Sequence, residues 1–415
     1  MHHLMNVLPH HALRDLARAH GPLMKLQLGQ TPLLVASSRE TARLVLRTHD
    51  ANFATRPKIL AAEIVTYQSS GILFSPTGDY WRKLRQLCAA EILGPKRVLS
   101  FRHIREDEVS NVRYGLTALN NMFNSMCHLF LQMRMRVDEI RQTGSSKPVN
   151  MSVMFHGLTN SIIARAAFGK TPKKSPEFLA AVTSGLRLAS GFDIPDLFPE
   201  WTTVLAGLIG MKRSLQGVHK TVDTFLEEMI NERNAARADK IKVGAIENVD
   251  ENFIDVLIGL QERGGLGFDL DNSRIKVVIV DMFAAGTGTA ASSMEWGFSE
   301  LMRNPLVMKK LQGQIREAFK GKAVVTEADL QESNLRYLKL VIKEALRLHP
   351  PAPLLVPRES IGSCELQGYT VPAKSRVVIN VWAIGRDPVY WKDAEEFQPE
   401  RFEDGTMDFT GNNFE

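Results

Sequence analysis

Two threonines and two glycines stand together in the middle of a long apolar segment. Gly286 and Gly288 each cost a helix about 1 kcal/mol relative to alanine. The hydroxyls of Thr287 and Thr289 can donate back to carbonyl groups and bend the helix axis. Residues this small let another molecule, or a neighbouring element, pack closely against the helix. The pattern predicts a weakened helix midpoint, with a ligand and tight core packing as the two alternatives.

Three charged residues form a second constellation. Glu344 and Arg347 are spaced so that they share one face of a helix, and Arg401 follows later in the proline-containing segment Phe397–Phe402. The pair alone is typical of a surface ion pair, which contributes little to stability. A buried triad would instead require hydrogen bonds throughout and would fix one geometry. We predict that Arg401 inserts between Glu344 and Arg347.

The elements that carry these residues are mostly helices. Apolar residues recur at helical spacing through Ser273–Asn304, which predicts one helix about 48 Å long at 1.5 Å per residue. Period-two patterns occur near both ends of the chain and predict short strands. These strands are Leu23–Leu28, Thr31–Ala36, Cys364–Leu366, Tyr369–Val371 and Arg376–Val381. The fold class is therefore mainly α with a small β portion (α+β), in a single domain over residues 1–415.

Composition narrows the range of functions. Hydrophobic residues make up 44% and charged residues 23% of the 415 residues, which is typical of a globular chain. The net charge of +5 comes without a basic cluster interleaved with aromatic residues, so no nucleic-acid partner is expected. A basic face could instead contact an acidic protein or an anionic membrane surface. The start of the chain lacks the features of a signal peptide.

The cysteines and one uncharged stretch narrow the possibilities further. The three cysteines, Cys88, Cys127 and Cys364, are far apart and form no CxxC or Cys/His spacing, so disulfides and structural zinc are not expected. Residues 114–133 contain no Asp, Glu, Lys or Arg, yet they are too polar for a membrane span. A buried helix and an insertion are the two interpretations of this stretch.

Taken in order along the chain, the motifs resemble those of a known family. Trp81–Arg85 (WRKLR), Ala285–Thr289 (AGTGT), Glu344–Arg347 (EALR) and Phe397–Phe402 (FQPERF) have the order and spacing of the cytochromes P-450. Leu348–Glu359 (LHPPAPLLVPRE) is similar to plant members, particularly those that act on terpenoids. The resemblance covers nearly the whole chain. It implies a haem-thiolate monooxygenase with the cytochrome P-450 fold.

The resemblance also implies roles for individual residues. Haem b would be the cofactor, and its two propionates favour cationic and indole donors. Residues that match the family's propionate contacts are Trp81, Arg85 and Arg358. On the oxygen side, Ala285 and Gly286 would allow close approach, and Thr289 would supply the hydroxyl that helps to protonate dioxygen. The substrate pocket would be lined by Leu354, Leu355 and Val356. The alternative for these three residues is that they belong to the core of a strand, and the alternative for Trp81 is ordinary core packing.

Partners and location follow from the same resemblance. The enzyme would use O2, electrons from an NADPH-dependent cytochrome P-450 reductase, and a small hydrophobic, terpenoid substrate. It would work at the cytosolic face of the endoplasmic reticulum membrane. The chain as given carries no membrane anchor, so a cytosolic location is the alternative.

Two departures from the family pattern shape the expectations. Members usually carry an acid immediately before the threonine, where this chain has Gly288, so coupling should suffer and a non-oxygenating lyase or isomerase becomes an alternative. The family's cysteine ligand follows the segment Phe397–Phe402, and none of the three cysteines matches it. We therefore expect a chain truncated at both ends, with no metal ligand of its own and impaired activity. A non-catalytic remnant or pseudoenzyme is the other reading, and the downstream coding sequence would discriminate between them.

Overall fold

The computed structural model describes residues 7–111, 150–242, 252–322 and 325–405. The predicted insertion at 114–133 lies outside these residues. The longer helices are Pro9–His20, Asp79–Leu87, Arg102–Asn111, Met151–Phe168, Ser175–Leu188, Met211–Lys242, Phe253–Arg263, Asn272–Gly286, Gly288–Arg303, Pro305–Ala318 and Arg336–Leu348. The shorter ones are Arg39–Arg43, Leu44–Thr48, Asp50–Phe53, Leu60–Val65, Cys88–Ile92, Pro95–Ser100, Ile194–Leu197, Thr202–Leu208, Glu327–Glu332, Val381–Ile384 and Pro399–Phe402.

The strands bring the two ends of the described chain together. They are β1 (Leu23–Leu28), β2 (Thr31–Ala36), β3 (Arg358–Glu359), β4 (Cys364–Leu366), β5 (Tyr369–Val371) and β6 (Arg376–Ile379). One sheet has the order β1-β2-β6-β3, in which β1 and β2 form an antiparallel hairpin and β6 pairs parallel to β2. The pair β4-β5 forms a separate ribbon. The predicted fold class, mainly α with a small β portion, is confirmed.

The central helices, Asn272–Gly286 and Gly288–Arg303, run through the core. Asp271 caps the first of them by accepting a 2.8 Å hydrogen bond from the backbone N–H of Arg274. Phe283 is fully buried and lies against Phe168 and Phe178, with ring centroids 5.5 and 5.0 Å away. Such aromatic contacts and the buried aliphatic residues around them fix the helix in place.

The same helical stretch resembles a membrane span in composition. Asn272–Arg303 is the one helix among the described residues that is long and apolar enough to cross a membrane, with a mean hydropathy of 1.3. However, 67% of its apolar window is buried inside the protein. A core helix of a large domain has this composition because its neighbours, rather than lipid, cover its apolar surface.

Local structure departs from the sequence prediction in three places. A short helix, Leu60–Val65, occurs within Phe53–Gly78, where the sequence predicts loop, and another, Ile194–Leu197, occurs within Phe192–Trp201, where it predicts a connector. The predicted strand Arg376–Val381 ends at Ile379, because Asn380 caps the helix that follows by accepting a hydrogen bond from Ala383 N–H at 3.1 Å. These elements depend on contacts that local sequence patterns do not reveal.

Candidate active site

The midpoint of the central helices is interrupted as predicted. Thr287 Oγ1 donates to the Phe283 carbonyl at 2.8 Å, and Thr289 Oγ1 donates to the Ala285 carbonyl. These bonds compete with the regular helical ladder and bend helices. The helix accordingly ends at Gly286 and begins again at Gly288.

One face of the central helices is open at this interruption. Ala285 is exposed although the residues before it are buried, and Thr289 and Ser292 are half-buried. A Cβ atom added at Gly288 would meet nothing within 4 Å. Further along the same face, Trp296 is 46% exposed. Because these positions follow one another at three- and four-residue steps, they form a continuous surface against which a flat group can lie.

The predicted propionate residues lie on two separate elements. Trp81 uses its indole N–H to donate to the Ile72 carbonyl at 3.0 Å, so this donor is already engaged. Arg85 is exposed, with its guanidinium carbon 5.4 Å from the centre of the Trp81 ring. Arg358, on β3, donates to Asp50 at 2.7 Å. The indole has a single N–H donor, which is engaged here, whereas each guanidinium group has five N–H donors and so keeps some for an anion.

Arg56 is a further cationic residue at this site, and the sequence analysis assigned no role to it. Its Nη1 donates to the carbonyls of Val356 and Pro357 at 3.2 and 3.1 Å. Burial, and then the nearby positive charge of Arg358, lower the pKa of Arg56 to about 10. Two neighbouring guanidinium groups that share the half-exposed carboxylate of Asp50 favour an additional anion. No sequence signal beyond the Arg-Pro dipeptide marks this residue.

The three predicted pocket residues lie in different environments. Leu354 packs against the cluster beneath the sheet, whereas Val356 packs against a second cluster that includes Ile59 and Phe74. Leu355 is 38% exposed and has a left-handed backbone with φ of 53°. Of the three, Val356 and Leu355 remain the candidates for contact with a ligand.

The charged triad is buried and hydrogen-bonded throughout. Glu344, which is fully buried, accepts from Arg347 Nε at 2.7 Å, from Arg347 Nη2 at 2.8 Å and from Arg401 Nε at 3.0 Å. The Gln398 backbone N–H donates to the same carboxylate at 2.8 Å. Arg347 also donates to the Ala394 carbonyl at 2.7 Å. The network therefore ties helix Arg336–Leu348 to the chain that follows β6.

Neither of the two described cysteines belongs to a cluster of metal-ligating side chains. Cys88 is buried, and this burial raises the pKa of its thiol to about 12. Cys364 lies on β4 opposite Val371. Within the described ranges, no group of three or more His, Cys, Asp or Glu residues is positioned to hold a metal ion.

The central helices are open at their midpoint, and a buried charge network fixes the segment that follows β6. These features are typical of a haem-dependent monooxygenase. The family model described as Cytochrome P450 matches residues 2–415, and the chain belongs to this family. It is therefore a monooxygenase-type oxidoreductase, and haem iron is the cofactor of its family.

Plant proteins are among its similar relatives. Premnaspirodiene oxygenase of Hyoscyamus muticus is 46% identical over 415 residues, which is all of this chain and 77% of that protein. 5-Epiaristolochene 1,3-dihydroxylase of Nicotiana tabacum is 46% identical over 416 residues, with the same coverage. Germacrene A hydroxylase of Barnadesia spinosa is 42% identical, covering all of this chain and 76% of its own.

The fold is shared with a more distant solved structure. A zebra fish cytochrome P450, solved with progesterone, superimposes with a TM-score of 0.71 at 22% identity. The match covers 96% of this chain and 84% of the zebra fish chain. At this identity the likeness concerns the fold.

The described residues suit two parts of haem, its planar ring and its carboxylate groups. The open face at Ala285, Gly288 and Thr289 can lie against a planar ring, and nothing blocks close approach at Gly288. Arg56, Arg358 and Arg85 supply guanidinium donors that suit carboxylate groups.

Proposed function

We propose that this protein is a haem-dependent monooxygenase that oxidises a small hydrophobic terpenoid with O2. The observation that carries the proposal is the open face of the central helices, where a half-buried hydroxyl, Thr289, stands beside exposed Ala285. The names of three relatives support the substrate class, because each contains a sesquiterpene.

The chain's own residues have three tasks in this proposal. Arg56, Arg85 and Arg358 hold the carboxylates of haem, which when bound supplies the electron-transfer and dioxygen chemistry. Thr289 holds a proton at Oγ1, which now donates to the Ala285 carbonyl and is free to rotate toward a reacting group. Leu355 and Val356, with the apolar cluster around Phe74, exclude water from the substrate.

A turnover assay tests the proposal. The protein, produced from its full coding sequence, is loaded with haem and supplied with NADPH, a plant cytochrome P-450 reductase and 5-epiaristolochene or premnaspirodiene. We expect a hydroxylated product that carries an ¹⁸O label from ¹⁸O₂, detected by gas chromatography and mass spectrometry. Loaded, reducible protein that oxidises lauric acid but neither terpene would contradict the substrate class.

Gly288 is the residue that most favours a second function, a lyase or isomerase reaction. An acid beside Thr289 would pass protons to its hydroxyl, and glycine cannot, so poor oxygen coupling or a lyase or isomerase reaction on the same fold would follow. We predict that Gly288→Asp raises the product formed per NADPH by about tenfold. The added side chain has room, because no atom lies within 4 Å of a Cβ at this position.

Gly288→Ala is the matched control for that experiment. It adds the same Cβ without an acid and should leave coupling unchanged. If Gly288→Asp couples no better than Gly288→Ala, the missing acid has no significance, and the argument for a lyase or isomerase falls with it.

We also propose that the protein works at the cytosolic face of the endoplasmic reticulum membrane, where it receives electrons from an NADPH-dependent reductase. Plant members of the family generally work there. In this chain, Trp201, Val204, Leu208 and Ile209 are 56%, 53%, 78% and 54% exposed within a short stretch. Such an exposed apolar patch, on a chain with a net charge of +5, suits an anionic lipid surface.

Removing part of the patch should weaken membrane binding. We expect the double substitution Leu208→Ser and Ile209→Ser to reduce sedimentation with phosphatidylcholine–phosphatidylserine vesicles by about fivefold or more, because two side chains no longer enter the lipid. Leu306→Ser is the control, since Leu306 is 82% exposed on a different helix. Equal losses in both variants would contradict a role for this patch.

A further inference from the structure

Asp281 is a buried carboxylate that neither the sequence resemblance nor the proposed chemistry uses. It lies one helical turn before Ala285, and its side chain is 2% exposed. Its Oδ2 accepts hydrogen bonds from the backbone N–H groups of Ile72 and Leu73, at 2.5 and 3.4 Å. Its Oδ1 is buried and has no hydrogen-bond partner among the residues that the structure describes.

The surrounding loop holds this carboxylate in one orientation. A Cβ atom at Gly71 would collide with Asp281 Oδ2, so only glycine lets the loop approach this closely. The same loop is fixed from the other side, where Trp81 donates to the Ile72 carbonyl at 3.0 Å and Tyr80 donates to the Ser70 carbonyl at 2.7 Å. With Oδ2 committed to the loop, Oδ1 cannot turn toward a backbone donor. A buried acceptor in this state is costly until a donor arrives.

A cavity adjoins the carboxylate. Its volume is about 10 Å³, and Asp281, Thr66, Leu73, Phe74, Val182 and Ala284 are among the residues that line it. This volume accommodates a group the size of one water molecule. Most of the lining is apolar, and Thr66 already donates its hydroxyl hydrogen to the Ala62 carbonyl at 2.7 Å. The site therefore offers one strong acceptor in otherwise hydrocarbon surroundings.

We propose that Asp281 Oδ1 accepts a hydrogen bond from a hydroxyl group of the substrate, so that the enzyme binds a terpenoid alcohol more tightly than the corresponding compound without a hydroxyl donor. The inference rests on the proposed function, which it extends by a polar anchor. A hydroxyl matches the size of the cavity and brings one donor to one free acceptor. An ammonium group would bring three donors to the same place and leave two of them unpaired.

The position of the anchor also bears on which carbon is oxidised. Asp281 and Thr289 are eight residues apart on the central helices, about 12 Å along the axis at 1.5 Å per residue. A ligand held at Asp281 by its hydroxyl therefore presents the opposite end of its skeleton to Thr289.

A matched ligand pair tests the anchor without turnover. Cedrol and cedryl methyl ether share one fifteen-carbon skeleton and differ in whether the oxygen can donate. We expect isothermal titration calorimetry with the purified 415-residue chain at pH 8 to give about tenfold tighter binding of cedrol. Equal affinities would overturn the inference, including the case in which a water molecule alone occupies the cavity, while leaving the proposed function intact. If neither ligand binds, the terpenoid pocket of the proposed function fails as well.

Asp281→Asn locates the effect. The asparagine oxygen can still accept from Ile72, but its NH2 group then stands where Oδ1 stood and offers a donor. The cedrol preference should disappear, and a preference that survives would overturn the assignment to Asp281. Asp196→Asn is the control, because Asp196 is also buried, accepts from Leu60 N–H at 2.8 Å, and has an unpaired Oδ2 away from this cavity. This variant should keep the preference, and the wild-type ligand pair remains decisive if Asp281→Asn fails to fold.

Discussion

Glu344→Gln is expected to destabilise the protein by about 3–5 kcal/mol, which is a large part of the roughly 5–15 kcal/mol that stabilises a typical domain. The substitution keeps the shape of the side chain but removes the negative charge that two guanidinium groups share. Arg347 has only 2% of its side chain exposed and Arg401 only 11%, so neither can recover its hydration. Urea denaturation followed by circular dichroism measures the loss.

The control for this experiment is an ion pair at the surface. Glu232 and Lys170 contact each other at 2.5 Å, with side chains 49% and 51% exposed. Because solvent screens such a pair, Glu232→Gln should change the free energy of unfolding by less than about 1 kcal/mol. A loss below about 1 kcal/mol for Glu344→Gln as well would show that the buried triad does not stabilise the fold.

Asp281→Asn is expected to change how stability depends on pH. Burial raises the pKa of Asp281 from 3.8 to about 7, although the two backbone N–H groups oppose the shift. The folded protein thus binds a proton more tightly than the unfolded chain. Wild-type stability from this group is fully present below about pH 4 and is lost as pH rises to about 7, by roughly 4 kcal/mol in total.

The asparagine variant cannot titrate at this position. Its stability relative to wild type should therefore increase between pH 4 and 7 and remain constant above pH 7, as measured by urea denaturation across this range. Cys88 lies near Asp281 but does not titrate in this range, because burial raises the pKa of its thiol to about 12. For Asp196→Asn, the gain in stability relative to wild type should stop at about pH 6, because burial raises the pKa of Asp196 only to about 6. Parallel curves for wild type and Asp281→Asn would contradict the shift.

The cedrol experiment and the pH experiment examine the same carboxylate in different ways. The first asks whether Oδ1 recognises a donor, and the second asks what burial of the group costs. A variant that loses both the ligand preference and the pH dependence would connect recognition to this burial. An unpaired charged oxygen in the core is destabilising by itself. A binding role for Asp281 explains this unpaired oxygen, whereas a purely structural role does not.

Several parts of the fold could be predicted because they depend on neighbouring residues. The hairpin of β1 and β2, the two strands of the β4-β5 ribbon and the helix Arg336–Leu348 all follow from period-two or helical spacing of apolar residues. Ser38 is a residue type that favours helix caps, and it caps helix Arg39–Arg43 in a reciprocal arrangement with Thr41. In each case the side chains that determine the element lie within the element itself.

The remaining parts depend on residues that are distant in sequence. Helix Leu60–Val65 begins where Leu60 N–H donates to Asp196, a residue 136 positions away. Arg56 gained a role only because β3 places Arg358 beside it. Local sequence patterns contain no information on such pairs, since hydrogen bonding and charge depend on distance in space.

The central helices show the division most clearly. From the sequence alone we could predict a helix weakened at Gly286 and Gly288, with Thr287 and Thr289 bonded back to carbonyl groups. Only the tertiary structure decided which face of that helix stays open, and that Asp281, one turn earlier, is sealed against the loop at Gly71. Periodicity fixes how residues are arranged around a helix axis, whereas the packing of the neighbouring elements decides which of those residues remain accessible to a ligand.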